Sequence, residues 1–209
     1  MNRREALSSV VLLLGGTIIG ADAFLSGCKT IGKKEEFFAT SDIALLDEVG
    51  ETILPATASS PGAKEARIGD FMKVIVTDCY NENDQNIFIG GIKKLNEASK
   101  KKYGKDFMNL AAGQKHELLV ALDKKAKDHQ DAINKRNNNL TPEQKYEKEH
   151  KANKDVEDSP HYFAMMKQLT LWGYFTSEPG ATKALCYLPV PGHYDGCIPY
   201  KKGDKAWAL

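Results

Sequence analysis

The histidines are the residues of this sequence with the widest choice of chemistry, because imidazole transfers protons and binds metals near neutral pH. No two of them stand three or four residues apart, the spacing that places two metal ligands on one helix face. His193 and Asp195 form the one pair in which a histidine and a carboxylate could share a pocket, and the alternative is a turn after Pro191. Solvated side chains are the simplest interpretation of the other four, which are His116, His129, His150 and His161.

Neither the carboxylates nor the known catalytic motifs indicate an active site in this sequence. Asp47, Glu48 and Glu51 fall on the polar side of a predicted helix, where such groups are usually solvated. The sequence lacks the nucleophile motif G-x-S-x-G, a phosphate-binding loop, the dinucleotide motif G-x-G-x-x-G and the haem-attachment motif C-x-x-C-H. We therefore predict no catalytic residue, bound cofactor or metal ligand in this chain, and we interpret it as a subunit that acts through a partner.

The first 28 residues indicate export and membrane attachment. Arg3 and Arg4 precede an apolar run at residues 10–21, which is too short to span a bilayer and is typical of a signal peptide. The sequence LSGC that ends at Cys28 resembles a bacterial lipoprotein box, in which the cysteine is acylated. The paired arginines resemble a twin-arginine signal, which exports folded cargo. We predict a cleaved signal peptide at residues 1–27, and the alternative is a retained hydrophobic helix.

A polar tether at residues 28–39 would then join the lipid to one domain at residues 40–209, facing the periplasm or the cell surface. The apolar share of 42% and charged share of 27% are ordinary for a globular domain, and the net charge of +1 indicates no nucleic-acid partner. In an oxidising compartment Cys186 and Cys197 can form a disulfide. Cys79 lies on the apolar face of a predicted helix, which indicates a buried thiol.

Apolar periodicity predicts an all-α domain of about five helices. Residues recur at spacings of three and four, most cleanly in the second helix, and Pro55 ends the first. Ser159 and Pro160 are the predicted N-cap and first turn of the fifth helix, which is rich in large apolar groups. The Gly90-Gly91 pair in the third helix indicates either a weaker helix or a close helix crossing. The predicted helices span residues 40–54, 68–79, 84–103, 112–127 and 161–175.

Two segments depart from this pattern. Residues 128–158 hold few apolar side chains, and we predict a charged, exposed insertion there, with a helical piece starting near Thr141. Residues 177–209 are rich in proline, glycine and aromatic residues, which excludes a long helix but argues against disorder. We predict an extended, ordered arm that lies either on the domain itself or on a partner.

Several short motifs, in this order, resemble the small subunit (subunit 3) of membrane-bound gluconate 2-dehydrogenases. They include LLDEVGETILPAT at residues 45–57, PGA at residues 61–63, Phe71, TLWGYF at residues 170–175, and Gly180 with YLPVPGHYDG at residues 187–196. The resemblance covers most of the domain outside the charged insertion. Individually these motifs are short, so their order carries the resemblance.

The resemblance implies a companion subunit. In that family the chemistry belongs to a large flavoprotein of the glucose-methanol-choline type, which holds FAD and oxidises a sugar or sugar acid. Electrons pass to a cytochrome c subunit or another acceptor, and the large subunit leaves the cytoplasm bound to the small one. A twin-arginine signal at Arg3 and Arg4 fits such export, and lipidated Cys28 would anchor the complex. No FAD, haem or metal ligand is carried over onto this chain.

The last helix and the arm are the predicted partner surface, because aromatic and proline residues lose little conformational freedom on binding. The alternative is that these residues close the domain's own core, and a truncation after Thr176 would separate the two. Two other functions stay open: a free-standing lipoprotein that binds a ligand or protein, and an enzyme using His193 and Asp195. The predicted interface residues are Trp172, Tyr174, Phe175, Tyr187, Pro189, Pro191, Tyr194 and Trp207.

Overall fold

A computed structural model describes the domain, and its described residues are 37–150, 158–190, 192–193, 196–197 and 199–208. Several predicted residues therefore lie outside the described part of the chain. They are Arg3, Arg4 and Cys28 of the export and anchoring signals, and Pro191, Tyr194 and Asp195 of the arm. The predictions made for them stay predictions.

The described residues form an all-α domain, as predicted, and contain no β-strand beyond two isolated bridges. A 3₁₀ turn at Phe107–Asn109 precedes the fourth helix, and a π-helical turn at Gly180–Ala184 follows the sixth. None of these helices combines the length and apolar character needed to cross a bilayer. The six α-helices are α1 Thr40–Ile53, α2 Ile68–Cys79, α3 Glu82–Tyr103, α4 Ala112–Asn138, α5 Pro142–Glu149 and α6 Tyr162–Thr176.

Helix α6 lies at the centre of the domain. It packs against α1, α2, α3, α4 and the π-helical turn. A helix with apolar side chains on most of its circumference is typically buried. The central position of α6 therefore agrees with its lack of a clear polar stripe. Its buried residues are Tyr162, Phe163, Met165, Met166, Leu169, Thr170, Gly173 and Tyr174.

The crossing of α3 and α6 depends on a glycine. A Cβ atom built on Gly91 would lie 2.4 Å from Cβ of Tyr162, whereas one on Gly90 would meet open space. The close helix crossing predicted from the glycine pair therefore occurs at Gly91. The same contact buries Tyr162, and this burial raises the pKa of its phenol to about 12.

Helix α4 is longer than predicted, because it continues eleven residues past Lys127 to Asn138. A thin apolar seam runs along it through Leu122, Ala126 and Ile133, and all three residues are buried. Single apolar residues one or two turns apart are enough to extend a helix that is already nucleated, but they gave no amphipathic signal in the sequence.

Helix α5 folds back beside the end of α4, where the sequence predicted a helical piece. It begins at Pro142, after the N-cap Thr141, whose hydroxyl accepts a hydrogen bond from the Gln144 amide in a capping box. Asp158 then joins the two helices, because its carboxylate contacts both Arg136 of α4 (3.3 Å) and Lys148 of α5. Most residues of this α4–α5 hairpin remain exposed.

The predicted burial of Cys79 is wrong. The buried stripe of α2 consists of Ile68, Met72 and Val76, and Cys79 is the last residue of the helix and is exposed. The packed face of a helix ends where its neighbours end, and periodicity alone does not show that point. Cys186 is half-buried and Cys197 is exposed, and the disulfide between them stays a prediction.

Candidate partner interface

Tyr174 belongs to the core, so its prediction as an interface residue is wrong. Its side chain is 2% exposed. The hydroxyl group donates a hydrogen bond to the Pro61 carbonyl oxygen (2.5 Å) and lies 2.7 Å from the Ser60 hydroxyl. These contacts fasten the loop between α1 and α2 to the C-terminal end of α6.

Replacing Tyr174 by phenylalanine (Tyr174→Phe) should destabilise the domain by about 1–2 kcal/mol, because two polar groups lose a buried partner. Urea unfolding followed by circular dichroism measures the difference. Tyr187→Phe is the matched control, since Tyr187 is 52% exposed and donates no hydrogen bond in the described part of the chain. Equal stability of the two variants would contradict the role given to the Tyr174 hydroxyl.

The carboxylates on α1 hold the same loop, so their interpretation as solvated groups is also wrong. Asp47 accepts a hydrogen bond from the Gly69 amide at 2.7 Å. Glu51 accepts one from the Ala56 amide and one from the Lys64 amide, each at 3.0 Å. The Gly69 amide lies in the first turn of α2, where helix amides lack an intrahelical acceptor, and the other two amides lie in the loop.

Glu48 binds two lysines. Its carboxylate contacts the Lys115 ammonium at 2.7 Å and the Lys64 ammonium, and the side chains of Glu48 and Lys115 are only 17% and 11% exposed. The Lys115 ammonium also lies 5.9 Å from the centre of the Phe107 ring. Burial by itself would raise the pKa of Glu48, but the hydrogen bonds from Lys115 and Lys64 outweigh it and lower that pKa. The pair joins α1 to α4.

The outer face of α6 carries two exposed aromatic side chains, Trp172 at 52% and Phe175 at 39%. The Trp172 ring packs edge-on against Phe71 of α2, with 5.4 Å between ring centres. Phe71 in turn lies against Gly173, where an added Cβ atom would stand 2.5 Å from the ring. The domain therefore holds the Trp172 ring from one side and leaves the other in solvent.

The residues after α6 divide into a packed part and an exposed part. The Ser177 hydroxyl donates to the Tyr174 carbonyl oxygen (2.6 Å) and accepts from the Gly180 amide (3.2 Å). Lys183 pairs with Glu65 at 2.5 Å, and Ala184 packs against the core. A truncation after Thr176 would remove these contacts. Residues 177–185 therefore belong to the packed domain, and a truncation after Leu185 removes only the exposed part.

We define the arm by the described residues from Cys186 onward. Cys186 donates to the Ala206 carbonyl oxygen (2.8 Å) and accepts from the Ala208 amide (2.9 Å), which ties the two ends of the arm together. No described residue of the arm is among the buried or partly buried hydrophobic residues that form the core. Its large apolar side chains are exposed, namely Tyr187 at 52%, Leu188 at 49%, Val190 at 79%, Tyr200 at 78% and Trp207 at 53%.

Two histidines that are distant in the sequence meet beside α6. The rings of His129 and His161 lie 6.1 Å apart, and the His129 Nε2 atom is 3.0 Å from the Ser159 carbonyl oxygen. His161 is the N-cap of α6, because its Nδ1 atom accepts a hydrogen bond from the Phe163 amide. The predicted N-cap at Ser159 is therefore two residues early.

Acid should weaken this cap. Burial lowers the pKa of His161, and the nearby charges of His129, Lys94 and Lys125 lower it further. Protonated imidazole cannot accept the amide hydrogen bond. The unfolded chain binds this proton more readily than the folded one. The cap therefore contributes its full stability above the ordinary histidine pKa of about 6.5, and this contribution falls as the pH drops below that value.

Replacing His161 by asparagine should reduce this loss, because asparagine keeps an N-cap acceptor and does not titrate. We expect the free energy of unfolding to fall less between about pH 7.5 and about pH 5 in the variant than in the wild type. Urea unfolding at the two pH values measures it. His116→Asn is the control, since His116 is exposed on the same helix as His129. A variant that loses as much stability as the wild type would contradict the assignment.

The remaining candidate residues form no catalytic group in the described residues. His193 and Pro189 are exposed, and the partner suggested for His193 lies outside that part of the chain. No three histidine, cysteine, aspartate or glutamate side chains come together there as metal ligands would. What the geometry does present is a set of exposed aromatic and apolar groups on α6 and the arm, suited to binding another protein.

Comparison with known proteins agrees with this picture. The family described as gluconate 2-dehydrogenase subunit 3 matches residues 40–192, which is more than half of the chain. Neither the curated proteins nor the solved structures contain a significant match. The matched range takes in α1 to α6 and the first part of the arm. The chain therefore belongs to the gluconate 2-dehydrogenase subunit 3 family.

Proposed function

We propose that this chain is a non-catalytic subunit of an exported, FAD-dependent sugar or sugar-acid dehydrogenase of the glucose-methanol-choline type. Its family is named for a subunit of a dehydrogenase, which implies a dehydrogenase partner. In the proposal the partner holds FAD and carries out the oxidation, and a cytochrome c subunit or another acceptor receives the electrons. This chain supports the stability, export and membrane attachment of that partner.

The observation that carries the proposal is the exposure of the arm. Tyr187, Leu188 and Trp207 are each about half exposed, although the domain already closes its core through Tyr174 and Ala184. Large aromatic and aliphatic side chains left in water cost free energy, and burying them contributes about 25 cal/mol per Å². Residues of these types dominate the energetics of protein interfaces. A partner that covers the arm accounts for their exposure.

The proposed export and membrane anchoring are inferred from the sequence. Arg3 and Arg4 would direct the chain to a pathway for folded cargo, so the partner could leave the cytoplasm already bound to it. Acylated Cys28 would then hold the complex at the membrane, because each buried methylene contributes about 0.8 kcal/mol. The tether predicted at residues 28–39 would end at Phe37, because Phe38 is 1% exposed in the hydrophobic core and Ala39 is the N-cap of α1.

A deletion of this chain in its native host tests the proposal. We expect sugar-dependent dye reduction to disappear from the membrane fraction, because the catalytic subunit is then neither exported nor retained. The full-length chain should restore this activity, and a Cys28→Ser variant should move it into the soluble exported fraction. Unchanged membrane activity in the deletion strain would contradict the proposed role.

A further inference from the structure

We propose that a group of four basic side chains, the basic cluster, forms a binding site for a phosphate-type anion. The cluster consists of Lys94 of α3, Lys125 and His129 of α4, and His161, the N-cap of α6. The ligand is defined by its phosphate group, which free phosphate and the headgroup of a phospholipid share. This inference goes beyond the proposed function and does not depend on a dehydrogenase partner.

Three helices bring the members of the basic cluster together. The rings of His129 and His161 lie 6.1 Å apart. Lys125 stands four residues before His129, which places both on one face of α4. Lys94 stands one turn after Gly91, the residue at which α3 crosses α6. Besides burial, the charges of the other three groups lower the pKa of His161, so all three act on the same ring.

The positive charges of the cluster have no counter-charge. Neither Lys94 nor Lys125 forms an ion pair or a hydrogen bond with any described residue, and this includes Asp128, one turn after Lys125 on α4. Asp123 and Asp158 lie close to the cluster in the sequence, but both are already paired with basic side chains outside it. A group of positive charges without a counter-charge attracts anions.

His161 adds a hydrogen-bond donor at neutral pH. Its Nδ1 atom accepts the Phe163 amide hydrogen (3.2 Å), so the neutral ring carries its own proton on Nε2. This Nε2–H group has no acceptor among the described residues, where every buried polar side-chain atom is paired, and it is therefore open to solvent. The His129 ring is fixed by the Ser159 carbonyl oxygen (3.0 Å). Phosphate oxygens can accept from this N–H group and from the two ammonium groups.

The cluster also adjoins space for the rest of a ligand. His129 lines an open groove of about 570 Å³ along α4. Ala132 and Ile133 contribute apolar surface to this groove, and Lys135 and Arg136 line it as well. A phosphate ester therefore has room beside the cluster for its organic part. The site is open to inorganic phosphate and to a lipid headgroup alike, and the two sources are separated by experiment.

Isothermal titration calorimetry tests the site. The full-length chain is purified in an uncharged detergent, with any bound partner, and titrated near neutral pH with sodium phosphate or with dihexanoyl phosphatidylglycerol, at constant ionic strength. The test variant carries Lys94→Gln and Lys125→Gln. The matched control carries Lys101→Gln and Lys124→Gln, because these exposed lysines lie on the same two helices and form no ion pair with a described residue. Circular dichroism checks that both variants are folded.

We expect the wild type and the control to bind equally, and the test variant to bind about tenfold more weakly or less, because it loses two charge-assisted hydrogen bonds. This result with both titrants shows that the phosphate group itself is recognised. With phosphatidylglycerol alone it assigns the site to a lipid headgroup, and with inorganic phosphate alone to the free anion. Binding that is absent from the wild type, kept in the test variant, or lost equally in the control would overturn the inference.

Discussion

Removal of residues 186–209 is expected to leave a folded domain that no longer binds the dehydrogenase. The truncation keeps the π-helical turn, the Lys183–Glu65 ion pair and every residue of the hydrophobic core. It removes the exposed apolar groups of the arm, including Trp207. We expect the melting temperature to stay within about 4 °C of the full-length protein, because little buried surface is lost. Co-purification of the partner should be abolished.

The control for this truncation is the shorter chain that ends at Thr176. That variant also loses the Ser177 and Gly180 contacts to the end of α6, so it should melt at a clearly lower temperature. Thermal unfolding by circular dichroism and affinity purification from the native host measure the two properties. A chain ending at Leu185 that unfolds would show that the arm belongs to the core, and one that still binds the partner would exclude the arm as the interface.

Replacing Glu48 by alanine should cost about 2–3 kcal/mol of stability, because it leaves the ammonium group of Lys115 without its carboxylate partner. This value is below that for a fully buried pair, since the side chains of Glu48 and Lys115 remain 17% and 11% exposed. Chemical unfolding measures the loss. Glu117→Ala is the matched control, because Glu117 also pairs with a lysine, Lys102, but is 64% exposed. We expect little change in that control.

A second substitution separates an unpaired charge from lost packing. Lys115→Met in the Glu48→Ala background removes the stranded charge and keeps a side chain of similar length. We expect the double variant to regain a large part of the lost stability, since replacing a buried ion pair by apolar groups is often neutral. A double variant no more stable than Glu48→Ala alone would contradict the importance of the ion pair.

Local pattern was sufficient to predict most of the helices. Ile68, Met72 and Val76 repeat at a spacing of four, and such a stripe can form only one helix face. The end of α4 was missed because Ile133 stands alone among polar residues, and a single apolar group gives no periodic signal. The burial of Cys79 was predicted wrongly for the opposite reason. The apolar periodicity of α2 continues past the last turn of the helix that packs against the core.

Contacts between distant residues could not be predicted from sequence. Asp47 and Glu51 look like any solvated carboxylates on a helix, and their partners are backbone amides of the α1–α2 loop and of the first turn of α2. His129 and His161 are far apart in the chain and meet only because α4 passes the start of α6.

The aromatic residues of the candidate interface show the same limit. Tyr174 and Phe175 are neighbours of similar type, yet Tyr174 is 2% exposed and Phe175 is 39% exposed, because α6 packs on several sides. A helix without a clear polar face does not reveal which of two adjacent aromatic rings points outward. For the arm, prolines and glycines exclude a long helix and aromatic groups argue against disorder, and an extended, ordered arm stays a prediction.

The most direct test of the central claim is an affinity purification of the tagged, full-length chain from detergent-solubilised membranes of its native host. The purified material is analysed by mass spectrometry and by absorbance between about 350 and 500 nm, where bound flavin absorbs. The account predicts one large partner in stoichiometric amount together with flavin absorbance. A single chain without flavin, from cells grown on sugars, would contradict it and favour a free-standing lipoprotein.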